Sequence, residues 1–312
     1  MVKELEKVYE PKFISDVYNN RKDKGTHKAM KKAQSYMNST YEGYYLQLDI
    51  KGFFYNLDKD ILFDKLASLG GGLGNSPYGF IDEPNLFSNL STAIISKDAL
   101  SLAKQIIYHD PTKNYIFKGD KSKLKLLLPH KTLFKIPKNI GVPIGNLTSQ
   151  FFANVYMNDF DNYVKRVLKV KRYIRYVDDF VLFDNSKERL EILYIEIQNY
   201  LREHLSLELR ADTKLKKHSN GLDFLGYIIR PNYILTRKRV VNNYKYKKAK
   251  YLDEYEKQKA NMSLEEIKKF LSVQASFVGH IKHANSFKLN KKVGQFDDEK
   301  YINLILGEWS DS

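Results

Sequence analysis

Three aspartates carry the strongest chemical signal in this chain. Asp49 ends the run Tyr44-Tyr45-Leu46-Gln47-Leu48-Asp49-Ile50, and Asp178-Asp179 lies between Tyr173-Ile174-Arg175-Tyr176-Val177 and Phe180-Val181-Leu182-Phe183. Carboxylates packed closely repel one another and stay ionised at neutral pH only when something cationic sits between them. Mg²⁺ suits such a set, because it prefers oxygen ligands and leaves room for substrate phosphates. Two such ions about 3.5–4 Å apart activate an attacking hydroxyl, steady an in-line transition state and stabilise a departing pyrophosphate, which is nucleotidyl-transfer chemistry. Taken alone, Asp-Asp in a turn is simply turn chemistry. The β-prone runs around it, a second strand-end aspartate and a basic tail favour the chemical reading.

The elements that must position these groups are legible from periodicity. Residues 44–50 alternate apolar with polar at period two and then meet Gly52, which predicts a strand ending at an exposed turn. The runs around Asp178-Asp179 predict a hairpin with both carboxylates at its tip. If these strands share one antiparallel sheet, the three carboxylates converge on one edge. Ile61, Leu62, Leu66 and Leu69 have helical spacing behind Asp58, a plausible N-cap. Residues 147–169 predict a long helix with Phe151, Phe152, Val155, Tyr156, Phe160, Val164 and Leu168 on one face. Further helices are expected near 91–108, 186–204, 243–260 and 263–285, with a strand pair before the last two in which Leu222–Ile229 is the clearest member. Gly70-Gly71-Gly72 should stop the first helix, and residues 70–90 and 109–140 read as loops. The glycine run lacks the Gly-Lys-Ser/Thr ending of a phosphate-binding loop and gives no sign of ATP.

Composition narrows the setting. The 312 residues include 52 Lys+Arg against 37 Asp+Glu, a formal net charge of +15, with a pI near 9.4. Such a surface attracts polyanions, nucleic acid first among them. Zero cysteine excludes disulfides, cysteine zinc sites and thiol catalysis. The charged N-terminus does not resemble a signal peptide, and no stretch approaches the roughly 18 apolar residues of a membrane span. A soluble cytoplasmic protein is expected. From Phe224 to Leu252 there is no Asp or Glu, while Arg237, Lys238, Arg239, Lys245, Lys247 and Lys248 are interleaved with Tyr233, Tyr244 and Tyr246. This suits phosphate contacts with base stacking, and equally a solvated lysine-rich helix. No histidine spacing suggests zinc, so His27, His280 and His283 are expected to be structural.

Tyr176-Val177-Asp178-Asp179 within its apolar hairpin resembles the catalytic box of reverse transcriptases. Leu48-Asp49-Ile50-Lys51-Gly52-Phe53-Phe54 resembles their first aspartate motif, and Gly221-Leu222-Asp223-Phe224-Leu225-Gly226-Tyr227 their primer-grip hairpin. In Gly141-Val142-Pro143-Ile144-Gly145-Asn146-Leu147-Thr148-Ser149-Gln150, Ile144-Gly145 stands where most of these enzymes have Gln-Gly, and Ser149-Gln150 where most have Ser-Pro. That version is similar to the enzymes of diversity-generating retroelements. Residues 21–27 and 279–286 also resemble that branch. The likeness covers essentially the whole chain, most weakly over 70–135.

The resemblance implies an α+β right-hand polymerase: a fingers remnant (1–42), a palm with an antiparallel sheet (43–231, with an inserted segment 70–135), and a helical thumb and tail (232–312). It implies RNA-directed DNA synthesis with two Mg²⁺ ions, Mn²⁺ being a possible substitute, held by Asp49, Asp178, Asp179 and the Ile50 carbonyl. Phe54 matches the steric gate against a ribose 2′-OH, although core packing accounts for it equally. Ile144, Gly145, Gln150 and Arg21 match nucleotide-contacting positions, and Phe224, Leu225 and Gly226 the primer grip. Replacing a hydrogen-bonding Gln by Ile144 removes a polar contact, which implies low fidelity. Asn154 is open between facing the site and a helix-cap or packing role. The implied partners are an RNA template, a DNA or RNA primer, dNTPs and a small basic accessory protein, with no membrane.

One departure stands out. Full-length members carry further fingers segments upstream of the Arg21 motif, including a Lys/Arg element that grips the triphosphate, and this chain is expected to lack them. The sequence would then be shortened, completed by a second polypeptide, or no longer a polymerase. The alternatives are therefore a non-catalytic nucleic-acid-binding or maturase-like subunit, or a phage-defence or group II intron-type enzyme.

Overall fold

The computed structural model describes residues 1–40, 42–68, 95–120, 122, 127–128, 131–257, 263–286 and 289. The expected glycine stop at 70–72 and the loop over 70–90 lie outside the described residues, and the helix expected from about 91 begins at Lys97, behind its cap Ser96. The chain divides into two compact units, Met1–Lys32 with Glu42–Lys217, and Ala33–Tyr41 with His218–Ser312. The division at Lys217 precedes the palm boundary expected at 231, because the hairpin after Lys217 packs with the C-terminal helices.

In the first unit, β1 (Tyr44–Asp49) lies between β3 (Asp179–Asp184) and β4 (Lys214–Lys217), and β2 (Tyr173–Tyr176) flanks β3, giving the order β2-β3-β1-β4. All three pairings are antiparallel. Leu46 pairs with Leu182 and Leu48 with Phe180. All four side chains are fully buried, each worth about 1.5–3 kcal/mol as an upper bound. A one-residue slip of β1 would exchange these leucines with Gln47 and Asp49, so burial fixes the register that places Asp49.

Helices cover the leucine face. They are α1 (Val2–Tyr9), α3 (Phe53–Asn56), α4 (Lys59–Ala67), α5 (Lys97–Tyr108), α6 (Leu147–Asn162) and α7 (Lys187–Leu205), while α2 (Thr26–Ser39) starts in this unit and runs into the second. Asp58 caps α4, accepting from the Asp60 and Ile61 amides at 2.9 and 3.1 Å. Helix α6 differs from expectation. Ser149, Phe151 to Met157, Phe160 and Asp161 are all buried, so it is a central core helix rather than a one-sided one. It passes into a π-helical turn at Tyr163–Val167.

In the second unit, residues 222–229, expected as the clearest member of a strand pair, themselves fold into a hairpin. Strands β5 (Leu222–Phe224) and β6 (Tyr227–Ile229) pair, followed by β7 (Ile234–Thr236). Leu225 (φ 52°) and Gly226 (φ 89°) both adopt the left-handed region, which makes a tight turn and breaks the run. Helix α8 (Lys238–Lys257) begins earlier than the expected 243, and α9 (Leu264–Ile281) ends before the expected 285. Ser263 and Glu266 form a capping box at the start of α9. Tyr244 stacks on Phe277 with ring centroids 3.9 Å apart. It therefore packs α8 on α9 and is not exposed for base stacking, whereas Tyr246 is. Among the described residues, no helix is long and apolar enough to cross a membrane.

Candidate active site

Register brings the aspartates together. Asp49 is the last residue of β1 and lies directly opposite Asp179, the first residue of β3. The hairpin therefore differs from expectation: Asp178 alone occupies the turn with Val177, while Asp179 belongs to the strand, where Tyr176 also pairs with it. The Asp178 carbonyl accepts from the Ile50 amide at 3.3 Å, which ties the turn to the end of β1.

All three carboxyls are pushed above the ordinary carboxylate range. Asp179 rises to about 7, chiefly through desolvation, with the Asp49 and Asp178 charges adding to it against a hydrogen bond from Gln47. Asp49 rises to about 6, first through burial and then through the Asp178 charge, with Arg210 opposing. Burial raises Asp178 as well. These are oxygen donors short of positive charge, the chemistry that a hard cation satisfies. As the side chains stand, no group of three His, Asp or Glu among the described residues closes around one ion.

Two neighbours escaped the sequence reading. Buried Gln47 donates from Nε2 to Asp179 Oδ1 at 3.1 Å. Its signal was available, since it stands two residues before Asp49 on the same strand face. Arg210 lies 3.4 Å from Asp49 Oδ2 and 2.9 Å from Asp212 Oδ1. Nothing in its local stretch marks it; the contact follows from its amide donating to the Asp49 carbonyl at 2.8 Å.

The remaining predicted residues fall in several places. Gly52 (φ 54°) turns the chain out of β1, so that Phe53 is buried and Phe54 half-buried on α3. The loop before α6 runs back along this turn: the Gly141 amide donates to the Leu57 carbonyl at 2.7 Å and the Val142 amide to the Phe54 carbonyl at 2.8 Å. Beyond it, Ile144, Gly145 and Gln150 are exposed. Gly145 has φ 101° with open space where a side chain would point. Asn154 is buried and bonded to Asn19, so it packs.

Arg21 requires a correction. Its guanidinium is buried, paired with Glu10 at 2.8 Å and bonded to the Ile14 carbonyl at 2.5 Å, so it holds residues 10–17 rather than presenting a charge to a nucleotide.

In the second unit, Phe224 is buried, and the imidazole of His280 stacks on Tyr227 with centroids 4.2 Å apart, beside the Leu225-Gly226 turn. Arg237 pairs with Asp223 rather than standing free. Lys238, Arg239, Lys245 and Lys247 are exposed, and Lys248 is half-buried.

Residues 1–229 match the family described as reverse transcriptase (RNA-dependent DNA polymerase). The group II intron-encoded protein LtrA of Lactococcus lactis subsp. cremoris is 26% identical over 270 residues, 75% of this chain and 42% of that protein. Protein P of gorilla hepatitis B virus is 29% identical over 133 residues, 39% of this chain and 16% of that protein. The chain thus spans less than half the length of these curated relatives. A solved telomerase from Candida tropicalis, in complex with a TWJ fragment of telomeric RNA, is similar with a TM-score of 0.50 at 15% identity. That likeness covers 97% of this chain and 49% of the telomerase chain. It concerns the fold, a mixed helix-and-sheet right-hand polymerase. The family match runs through both aspartate-bearing segments and most of the chain, and on that ground this protein belongs to the reverse transcriptase family.

Proposed function

We propose that this protein copies an RNA template into DNA, adding deoxynucleotides to the 3′ end of a DNA or RNA primer. The observation that carries this reading is the pairing of Asp49 with Asp179, with Asp178 on the adjoining turn, in a member of this family. Two Mg²⁺ ions, or Mn²⁺ in their place, supply Lewis-acid activation of a hydroxyl and charge stabilisation of pyrophosphate when bound. Asp49, Asp178 and Asp179 are the residues to hold them, with the Ile50 carbonyl as a further ligand. Binding would call for the three carboxylates to turn toward one another, and their attraction to the cations would outweigh the added mutual repulsion.

The other roles belong to the chain itself. Phe54 crowds a ribose 2′-OH and so favours deoxynucleotides. Ile144, Gly145 and Gln150 lie against the incoming nucleotide and its template base, and the apolar Ile144 lowers fidelity by giving up a polar contact. Phe224, Leu225 and Gly226 hold the primer end. Lys238, Arg239, Lys245 and Lys247, with Lys248, hold phosphates of the duplex. We assign residues 1–42 to fingers, 43–231 to palm and 232–312 to thumb, and the setting to a diversity-generating element with a small basic accessory protein.

A second setting for the same reaction is favoured by a specific observation, the LtrA match over three quarters of the chain: an intron-type enzyme. A template/variable repeat pair beside the coding sequence would decide for diversification, and flanking intron RNA for the other. Primer extension on an RNA template, with Mg²⁺ and dNTPs, tests the reaction. Extension by the wild type and its loss in Asp178→Ala are expected; no extension by either would leave a non-catalytic nucleic-acid-binding role.

A further inference from the structure

The turn that carries Asp178 is made in an unfavourable way. Val177 has φ 60°, the left-handed region that a β-branched residue rarely enters. Such a conformation persists only where its surroundings over-determine it. Here both polar groups of the Val177 backbone are held. Its amide donates to Asn19 Oδ1 at 3.0 Å, and its carbonyl accepts from Arg175 Nη1 at 2.9 Å.

Behind these two contacts is a buried polar network. Arg175, fully buried, donates from Nε and Nη2 to the two Asp161 oxygens at 2.8 and 2.6 Å, and the Tyr173 hydroxyl donates to Asp161 Oδ1 at 2.7 Å. Asn19 Nδ2 donates to Asn154 Oδ1 at 2.9 Å, and Asn154 Nδ2 returns a bond to the Asn19 carbonyl at 3.1 Å. The backbone repeats the link: the Arg175 amide donates to the Asp16 carbonyl and the Tyr18 amide to the Arg175 carbonyl, both at 3.0 Å. A buried ion pair is a weak source of stability, because desolvation offsets its attraction. Packing alone therefore does not account for a polar set that reaches into an apolar core from three segments and ends on one strained residue.

We infer that Asn19, Asn154, Asp161 and Arg175 are positioning residues that hold Val177 in its left-handed conformation and thereby fix where Asp178 stands for catalysis. This rests on the polymerase reading for its kinetic consequence, but not for its structural one. Asn19 supplies the critical acceptor, so the segment before α2 sets the geometry of a carboxylate far along the chain. Glycine enters the same backbone region at no steric cost. Val177→Gly should therefore make the clamp dispensable.

The test is a double-mutant cycle in the full chain with Asn19→Ala and Val177→Gly. Asn19→Ala keeps the bond from Asn154 to the Asn19 main chain, and so avoids the buried charge that Asp161→Asn or Arg175→Ala would strand. Asn19→Ala should lower kcat for primer extension about ten- to a hundredfold, with KM for dNTP changing by less than about threefold. Adding Val177→Gly should bring the rate to within about threefold of Val177→Gly alone. Urea denaturation supplies a readout independent of activity: Val177→Gly should be more favourable to the midpoint in the Asn19→Ala background than in the wild type. Equal effects of Val177→Gly in both backgrounds, in rate and in midpoint, would overturn the inference. A wild type that extends no primer would sink the polymerase reading, and the denaturation cycle would then decide the inference alone.

Discussion

The carboxylate corner of the first unit and the basic helix of the second hold their charges in two different ways. At the corner, a few atoms matter individually. Asp49 and Asp179 face each other across two strands, Gln47 bonds to one of them, and Val177 is held at both backbone polar groups. On α8, Lys238, Arg239, Lys245 and Lys247 are exposed, and no one of them is singled out by geometry. The first region positions atoms; the second supplies a field. Burial makes the difference, since buried polar groups must be paired one by one, whereas exposed charges act through water and add up.

That contrast is sharpened most by removing one carboxylate. Asp178→Ala or Asp179→Asn should reduce primer extension by about a thousandfold or more with the fold intact, measured as single-turnover rate beside a circular dichroism spectrum. Retention of more than about a tenth of the rate would break the claim that the corner works atom by atom. Phe54→Ala should come next, lowering discrimination against ribonucleotides by about ten- to a hundredfold while leaving dNTP incorporation within a few-fold. Competition between rATP and dATP reads this directly, and unchanged discrimination would return Phe54 to core packing.

On the basic helix, single changes should be nearly silent and combined ones graded. Lys245→Gln, Lys247→Gln and Lys248→Gln together should weaken primer–template binding about tenfold at moderate salt. They should also flatten the salt dependence by about 0.7–0.9 in log–log slope for each phosphate that is no longer neutralised. If one of the three accounted for the whole effect, the field description would give way to a specific ion pair.

The smallest effect concerns pH. Asp49 is raised to about 6 and Asp179 to about 7, whereas free aspartate titrates near about 3.9. Between those values the folded state binds more protons than the unfolded one. The pair's contribution to stability is therefore full below about pH 4 and is lost as pH rises through 6 to 7. Without divalent metal, the urea midpoint should be modestly higher at pH 5 than at pH 8, and Mg²⁺ should narrow the gap. A midpoint that rises across this window would mean that Arg210 already neutralises the pair.

Much of this was legible in the residues themselves. The alternation of 44–50 predicted β1, and Asp58 behind a helical run predicted the α4 cap, because both are local patterns with one physical cause each. Other features were not. Local pattern puts Asp178 and Asp179 together at a hairpin tip, but pairing with Asp49 and Tyr176 draws Asp179 into the strand. Arg21 matches a nucleotide-contacting position, but the fold buries its guanidinium against Glu10. Tyr244 looked like a stacking platform until Phe277 covered it. Each of these depends on a partner remote in sequence, which no local window contains.

Residue type and period, which are properties of the chain alone, were enough to single out the three aspartates and to predict most of the strands and helices that present them. Only the tertiary structure decided which charges are spent on the fold and which are left over, that Arg210 and Gln47 share the carboxylate corner, and that Asn19 holds the backbone of Val177. Those outcomes are set by burial and strand register, and both come into being only when distant segments pack.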